Sequence, residues 1–269
     1  METDLSGKTA VITGSTAGVG YKIAEFLALA GANVVINGRK TQAVEGAVDR
    51  LALAVPRVSI SGVVSDVGTA KGVDELLAKQ PRADILINNV GIYDSEDFFD
   101  ISDEKWMHYF EVIVMSGIRL SRVYLPGMIS RYWGRVIFIS SEWALNIPTH
   151  MIPYGLTKSA VLSLTQGLAN RVQATGVTVN AILLGPIQSI QGMAGGQNEL
   201  CLTMEETVAL YESEHHLSTL AFPHAATTEE VANTVLYLSS PLAQGNSGTL
   251  IHLDGNERVT LPKGSLPPH

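Results

Sequence analysis

Short β-branched and apolar runs alternate along the chain with longer stretches whose apolar positions recur at helical spacing. The runs are TAVIT at 9–13, NVVIN at 33–37, VSISGV at 58–63, DILIN at 84–88, RVIFIS at 135–140, VTVNAI at 177–182 and TLIHL at 249–253. Several are apolar throughout, which fits strands covered on both faces. Between them the pattern predicts helices over 18–30, 41–54, 69–79, 103–130, 152–175 and 228–239. Right-handed crossovers place the helices of such a β-α alternation on both sides of a parallel sheet. The predicted fold is therefore α/β: one doubly wound parallel sheet of about seven strands, in a single domain spanning 1–269. Residues 186–225 separate the sixth strand from the last helix and include GGQNEL and a predicted helix near 204–215. Ligands of doubly wound sheets bind beyond the carboxyl ends of the strands, so an insertion there is placed to form a substrate lid. The tail at 256–269 contains Gly and Pro and is predicted to be extended or frayed.

Composition narrows the chemistry. With 46% hydrophobic residues the chain has enough apolar side chains for a full core. A net charge of −8 and a pI near 5.3 argue against a nucleic-acid surface, which needs clustered Lys and Arg. The single cysteine, Cys201, excludes an internal disulfide framework, and the seven histidines show no HExxH spacing, so no metal site is predicted. The opening METDLSGKTA lacks the basic and apolar regions of a signal peptide. No uninterrupted apolar run approaches the roughly eighteen residues of a membrane span. The expectation is a cytoplasmic protein with no membrane partner.

A glycine-rich turn, Thr13-Gly14-Ser15-Thr16-Ala17-Gly18-Val19-Gly20, follows the first strand directly and leads into a helix. Glycines here let the backbone approach a pyrophosphate, whose charge then meets the helix N-terminus. A turn needed only for packing would look the same in isolation, but the position after the first strand favours a nucleotide. Asn37-Gly38-Arg39-Lys40 ends the second strand. A carboxylate at that point would bind the ribose diol of NAD(H) and repel a 2′-phosphate, so neutral Asn37 beside Arg39 favours NADP(H). The alternative for Arg39 is a solvated basic turn. Asp66, followed by Val67, is placed either to receive an adenine amino group or to cap the next helix.

At the other end of the site, Ser140-Ser141 closes the fifth strand, and Tyr154-Gly155-Leu156-Thr157-Lys158 opens a helix thirteen residues after Ser141. The i, i+4 spacing puts Tyr154 and Lys158 on one helix face, where an ammonium lowers the pKa of a nearby phenol. A free phenol, with a pKa of about 10, needs such tuning to act as an acid or base at neutral pH. Together these residues resemble the short-chain dehydrogenase/reductase family, in its TGxxxGxG and YxxxK branch, over about residues 7–255. Asn88-Asn89-Val90-Gly91 resembles that family's NNAG element, Asn180 with Gly185-Pro186 its N-x(4)-GP turn, and Asp254-Gly255 its closing DG.

The resemblance implies a Rossmann-type fold, hydride transfer between NADP(H) and a small-molecule carbonyl or alcohol, and a homo-oligomer, tetramer or dimer, joined through the helices at 103–130 and 152–175. It implies that Tyr154 protonates or deprotonates the substrate oxygen, that Ser141 holds that oxygen, and that Lys158 binds the nicotinamide ribose and tunes Tyr154. Gly14, Ser15, Thr16, Gly18, Val19, Gly20, Asn37, Arg39, Asp66, Val67, Asn88, Val90, Gly91, Lys158, Gly185 and Ile187 then face the cofactor, while Trp143, Pro153 and Leu184 face the substrate.

One catalytic position departs from the family. Its fourth catalytic residue is an Asn seven residues beyond a Trp and twenty-eight before the Ser, and counting from Trp106 and from Ser141 gives Ile113 both times. In relatives that Asn helps position a water linking the lysine to solvent; Ile has no donor or acceptor. Trp143 stands where a small residue is common, Leu184 replaces a Pro, Ile187 a Thr and Asn256 a Gly. Trp143 is either a shelf over the core or a pocket wall. These changes imply a drier, bulkier pocket. Two functions follow: an NADP(H)-dependent reductase of an apolar ketone, or a family member with an impaired relay that binds a ligand or cofactor or performs non-redox chemistry. Glu142, beside Ser141, is either a second acid-base group or an exposed carboxylate, with the exposed carboxylate favoured, and His215, His216 and Cys201 are read as surface or packing residues of the lid.

Overall fold

The computed structural model describes residues 3–185, 187–188 and 226–253. In chain order the elements are β1 (Thr9–Ile12), α1 (Gly18–Leu29), β2 (Asn33–Gly38), α2 (Thr41–Ala54), β3 (Ile60–Val64), α3 (Ala70–Lys79), β4 (Ile85–Asn88), α4 (Asp103–Tyr109), α5 (Ser116–Ser130), β5 (Gly134–Ser141), α6 (Ile152–Arg171), β6 (Val177–Leu184), β7 (Ile187–Gln188), β8 (Ala226–Thr227), α7 (Thr228–Ser239) and β9 (Leu250–Leu253). Seven strands form one parallel sheet in the order β3-β2-β1-β4-β5-β6-β9. Winding reverses between β1 and β4, which is where sheets of this kind open a crevice at their carboxyl ends.

Strand alternation divides the core in two. Ile12, Ile36, Ile85, Ile137 and Ile182 pack with α1, α2 and α7 on one face. Val11, Leu86, Val136 and Phe138 pack with α3, α4, α5 and α6 on the other, which also holds Ile113 and borders Tyr154.

The predicted helix over 103–130 is divided by a wider π turn at Phe110–Met115. There the Ser116 N–H reaches back to the Glu111 carbonyl, and the Ser116 hydroxyl donates to the bypassed Val112 carbonyl at 2.6 Å. Insertions of this type recur at functional sites because they rotate side chains out of helical register. By length and composition the run Asp103–Ser130 passes for a membrane span, yet 56% of its most apolar window is buried within the fold, as in a core helix. The predicted helix at 152–175 stops at Arg171, after which Ala174 and Gly176 take positive φ of 61° and 73°.

The two ends of the insertion are held together: Ile187 pairs with Ala226 and Gln188 with Thr227. Immediately afterwards the Thr227 hydroxyl accepts from the Glu230 N–H at 3.1 Å and the Glu230 carboxylate accepts from the Thr227 N–H at 2.7 Å, a reciprocal cap that starts α7. The interior of the predicted lid, its helix near 204–215, Cys201, His215, His216 and Pro186 lie outside the described residues, as do Asp254, Gly255, Asn256 and the tail.

Candidate active site

The loops after β1 and β4 are laced together at the switch point. Thr13 Oγ1 accepts from the N–H groups of Asn89 at 2.9 Å and Val90 at 3.0 Å, and Asn89 Nδ2 donates to the carbonyls of Thr13 at 2.9 Å and Gly14 at 3.0 Å. Gly14 has φ +61°, and a Cβ at Gly20 would lie 2.5 Å from the Gly14 oxygen and 2.6 Å from Asn89 Nδ2. Any larger side chain would therefore break this turn. Ala17, the N-cap of α1, offers no side-chain cap, so the first N–H groups of that helix remain available to an anion. This cradle fits a dinucleotide pyrophosphate. Sequence reasoning passed over Thr13, although a threonine ending an apolar strand was a visible signal.

Several predicted cofactor contacts have other work. Ser15 is fully buried; its hydroxyl donates to the Ile12 carbonyl at 2.7 Å and accepts from the Asn37 N–H at 3.0 Å. The Asn37 side chain, 1% exposed, turns into the protein and donates to Val63 O, Ser65 O and Ser65 Oγ. Its amide therefore joins β2 to β3 and does not project toward a ribose. Arg39, by contrast, is exposed and has no ion-pair partner among the described residues. Thr16 packs on Gly38, where a Cβ would come within 2.6 Å of its methyl. Asp66 accepts from the Gly68 N–H at 3.0 Å, and the cap of α3 belongs instead to Thr69, whose hydroxyl accepts from the Gly72 N–H at 2.9 Å. Val67 is a core residue, Val19 packs against the core, and Gly18, in the half-buried N-terminal turn of α1, has φ +55°.

The predicted catalytic residues converge. Ser141 ends β5, Tyr154 and Lys158 project from the first turns of α6, and the Ser141 and Tyr154 side chains are hydrogen-bonded. Trp143 N–H donates to Ser141 Oγ at 3.2 Å. The rings of Trp143 and Tyr93 meet that of Tyr154 edge-on, with centroids 6.0 and 6.4 Å away, so two aromatic rings border the phenol. Thr157 holds the first turn by donating to the carbonyls of buried Pro153 and of Tyr154. Lys158 is 4% exposed, donates to the Ile139 carbonyl at 2.8 Å and lies 5.4 Å from the Tyr154 ring centroid. A Cβ on Gly91 would lie 3.8 Å from Lys158 Nζ, which places this glycine beside the ammonium.

The electrostatics differ from the simple ammonium-phenol picture. Burial pushes the Tyr154 phenol up to about 12, with the charges of Tyr93, Glu142 and Tyr109 adding, while the Ser141 hydrogen bond acts the other way. Burial likewise pushes Lys158 down to about 8. Desolvation disfavours the charged form of each group. Glu142, read from the sequence as exposed, is only 4% exposed because the turn Glu142–Ala144 is packed beneath α6.

The bulky substitutions separate. Leu184 and Ile187 pack with the core on the face away from Ile113, and Gly185 donates its N–H to Leu253 O at 3.0 Å at the end of β6. Ile113, 5% exposed, is packed in the core beneath the site. Neither polar atom of the Asn88 amide has a hydrogen-bond partner among the described residues.

Comparison with known proteins agrees with this geometry. A sequence profile of the short chain dehydrogenases matches residues 8–199. The chain is 38% identical over 261 residues to the uncharacterized oxidoreductase YvaG of Bacillus subtilis, covering 95% of this chain and 97% of that one. It is 31% identical over 259 residues to the 3-oxoacyl-[acyl-carrier-protein] reductase FabG of Aquifex aeolicus, covering 95% and 99%. Among solved structures, the L-sorbose reductase of Gluconobacter frateurii, complexed with NADPH and L-sorbose, superposes with a TM-score of 0.85 at 31% identity, covering 97% of this chain and 100% of that chain. The chain belongs to the short-chain dehydrogenase/reductase family. It is an NAD(P)-dependent oxidoreductase.

Proposed function

We propose that the protein interconverts a ketone and a secondary alcohol with NADP(H), on a substrate that carries an apolar group beside the reacting carbon. The observation that carries this reading is the hydrogen bond between Ser141 and Tyr154 with buried Lys158 beside it. Tyr154 is protonated at neutral pH and acts as the acid toward the ketone oxygen; Ser141 holds that oxygen; Lys158 supports the phenolate that remains. When bound, the nicotinamide supplies or accepts the hydride. Gly14, Gly18, Val19 and Gly20 would hold its pyrophosphate, Arg39 the 2′-phosphate, Asp66 and Val67 the adenine, and Val90, Gly91 and Lys158 the nicotinamide ribose. The walls made by Tyr93 and Trp143 support an apolar or aromatic substrate group. Assembly into a homo-oligomer and a cytoplasmic location belong to the same proposal.

Ile113 favours a second reading, a ligand or cofactor binder or a non-redox catalyst, because an apolar side chain occupies the relay position. One assay separates the two: NADPH consumption over small, bulky and aromatic ketones, with Tyr154→Phe and Ile113→Asn in parallel. Turnover of apolar ketones that is lost in Tyr154→Phe is the expected result. NADPH binding without consumption until Asn is introduced at 113 would overturn the reductase in favour of the second reading.

A further inference from the structure

Asn88 is 8% exposed, and both its Oδ1 and its Nδ2 are buried without a hydrogen-bond partner among the described residues. An unsatisfied buried polar group costs about 1–3 kcal/mol, so a doubly orphaned amide in a core calls for a water or a ligand. Asn88 is the last residue of β4 and pairs in register with Phe138; the next residue on β5, Ile139, supplies the carbonyl that holds Lys158 Nζ. Strand alternation directs Asn88 to the face of Leu86 and Phe138, the face that also contains Ile113. Beside it, a Cβ at Gly117 would lie 2.7 Å from Phe138 Cε1 and 3.7 Å from Asn88 Cγ, so this glycine lets the Phe138 ring pack close while the amide stays at ordinary contact distance. The nearby Ser116 hydroxyl is already committed to Val112. Lys158 has three donors, and its one hydrogen bond among the described residues goes to Ile139.

We propose that Asn88 binds an ordered water that links Lys158 to solvent, so that an amide on β4 supplies the polar group Ile113 lacks. The relay rests on the reductase reading. During ketone reduction Tyr154 Oη gives its proton to the substrate oxygen. Lys158 passes one proton toward the phenolate and takes one from the Asn88 water, which is reprotonated from solvent. Lys158 and the water end unchanged, and one solvent proton has been consumed. Asn88 is thus a positioning residue.

Two measurements test this together. A high-resolution crystal structure of the NADPH complex is expected to show a water within about 3.2 Å of the Asn88 amide and of Lys158 Nζ. Asn88→Leu, close in volume, is expected to lower kcat about 10- to 100-fold and to increase the solvent isotope effect on kcat, with the NADPH Kd from fluorescence titration within about 2-fold of the original. Ile113→Asn in the Asn88→Leu background is expected to recover most of the lost kcat. An amide bonded directly to the cofactor, a fall in NADPH affinity parallel to the fall in kcat, or an unchanged kcat would overturn the proposal; thermal melts identify a variant that merely unfolds. If the original chain consumes no NADPH with any ketone, the reductase reading fails on its own. The crystallographic water then decides the Asn88 site separately: its presence supports the site, and its absence overturns it.

Discussion

Replacing Asn37 by Asp is the standard thought for turning a chain of this type toward NAD(H), and the structure predicts that here it damages the fold instead. Asn37 Nδ2 donates to Val63 O at 3.2 Å, Ser65 O at 3.3 Å and Ser65 Oγ at 3.0 Å. A carboxylate has no proton to give and would face two carbonyl oxygens from a position 1% exposed. Lost hydrogen bonds at about 1 kcal/mol each, with a buried unpaired charge, total about 3–5 kcal/mol. For a domain of this size that is a fall in Tm of roughly 10 °C. The sign of the pH dependence is also set: burial raises the folded-state pKa of the new acid above the roughly 3.9 of an unfolded Asp, so the loss is fully present at neutral pH and shrinks as pH falls toward 4. Differential scanning fluorimetry from pH 4.5 to 7.5, with NADH and NADPH titrations, measures both effects. An Asn37→Asp protein that melts with the original and prefers NADH would refute the inward placement of the amide. Arg39→Ala is the matching control, expected to weaken NADPH binding about tenfold with the Tm unchanged.

Gly20→Ala should cost about 1–3 kcal/mol and abolish NADPH binding, because the added methyl strikes the Gly14 carbonyl at 2.5 Å and displaces Asn89; urea unfolding and fluorescence titration check it. Lys158→Met should remove turnover yet change the alkaline stability profile of the cofactor-free protein. Burial lowers the Lys158 pKa from 10.5 to about 8, so the unfolded chain binds more protons between those values and native stability rises by a few kcal/mol over that window. Urea midpoints measured from pH 7 to 10.5 should show the rise in the original and its loss in Lys158→Met. Glu142→Gln should lower the Tyr154 pKa by removing a buried negative charge; alcohol oxidation, which needs the phenolate, should then reach its plateau at lower pH in stopped-flow assays.

Strand periodicity made the architecture legible, because buried parallel strands such as those containing Val136 and Ile182 need apolar residues on both faces. Spacing likewise placed Tyr154 and Lys158 on one face, since i, i+4 on a helix is a geometric constraint, while Ser141 was joined to them through the family resemblance. Less legible was the direction in which individual side chains turn. The letters around Asn37 and Ser15 cannot show that an amide and a hydroxyl at the nucleotide end are spent on neighbouring strands, because their partners are distant in sequence. Glu142 was misread for the same reason: charge predicts exposure only until tertiary packing covers the turn. The π turn at Phe110–Met115 left no signal in an otherwise continuous helical pattern. The apolar residue at 113 was readable from the family spacing, but not the orphaned amide on β4.

The short pairing of β7 with β8 separates two kinds of evolutionary freedom. Ile187–Gln188 and Ala226–Thr227, which flank residues 189–225, form a two-stranded ladder of their own, separate from that of the main sheet. Lengthening a closed loop costs only about 0.6 kcal/mol per doubling, so this segment can be exchanged for one of different length with little penalty to the scaffold. Ser141, Tyr154 and Lys158 remain on β5 and α6 throughout such an exchange. A segment of different length can thus be spliced in between paralogous chains, with the four residues Ile187, Gln188, Ala226 and Thr227 as the natural junctions.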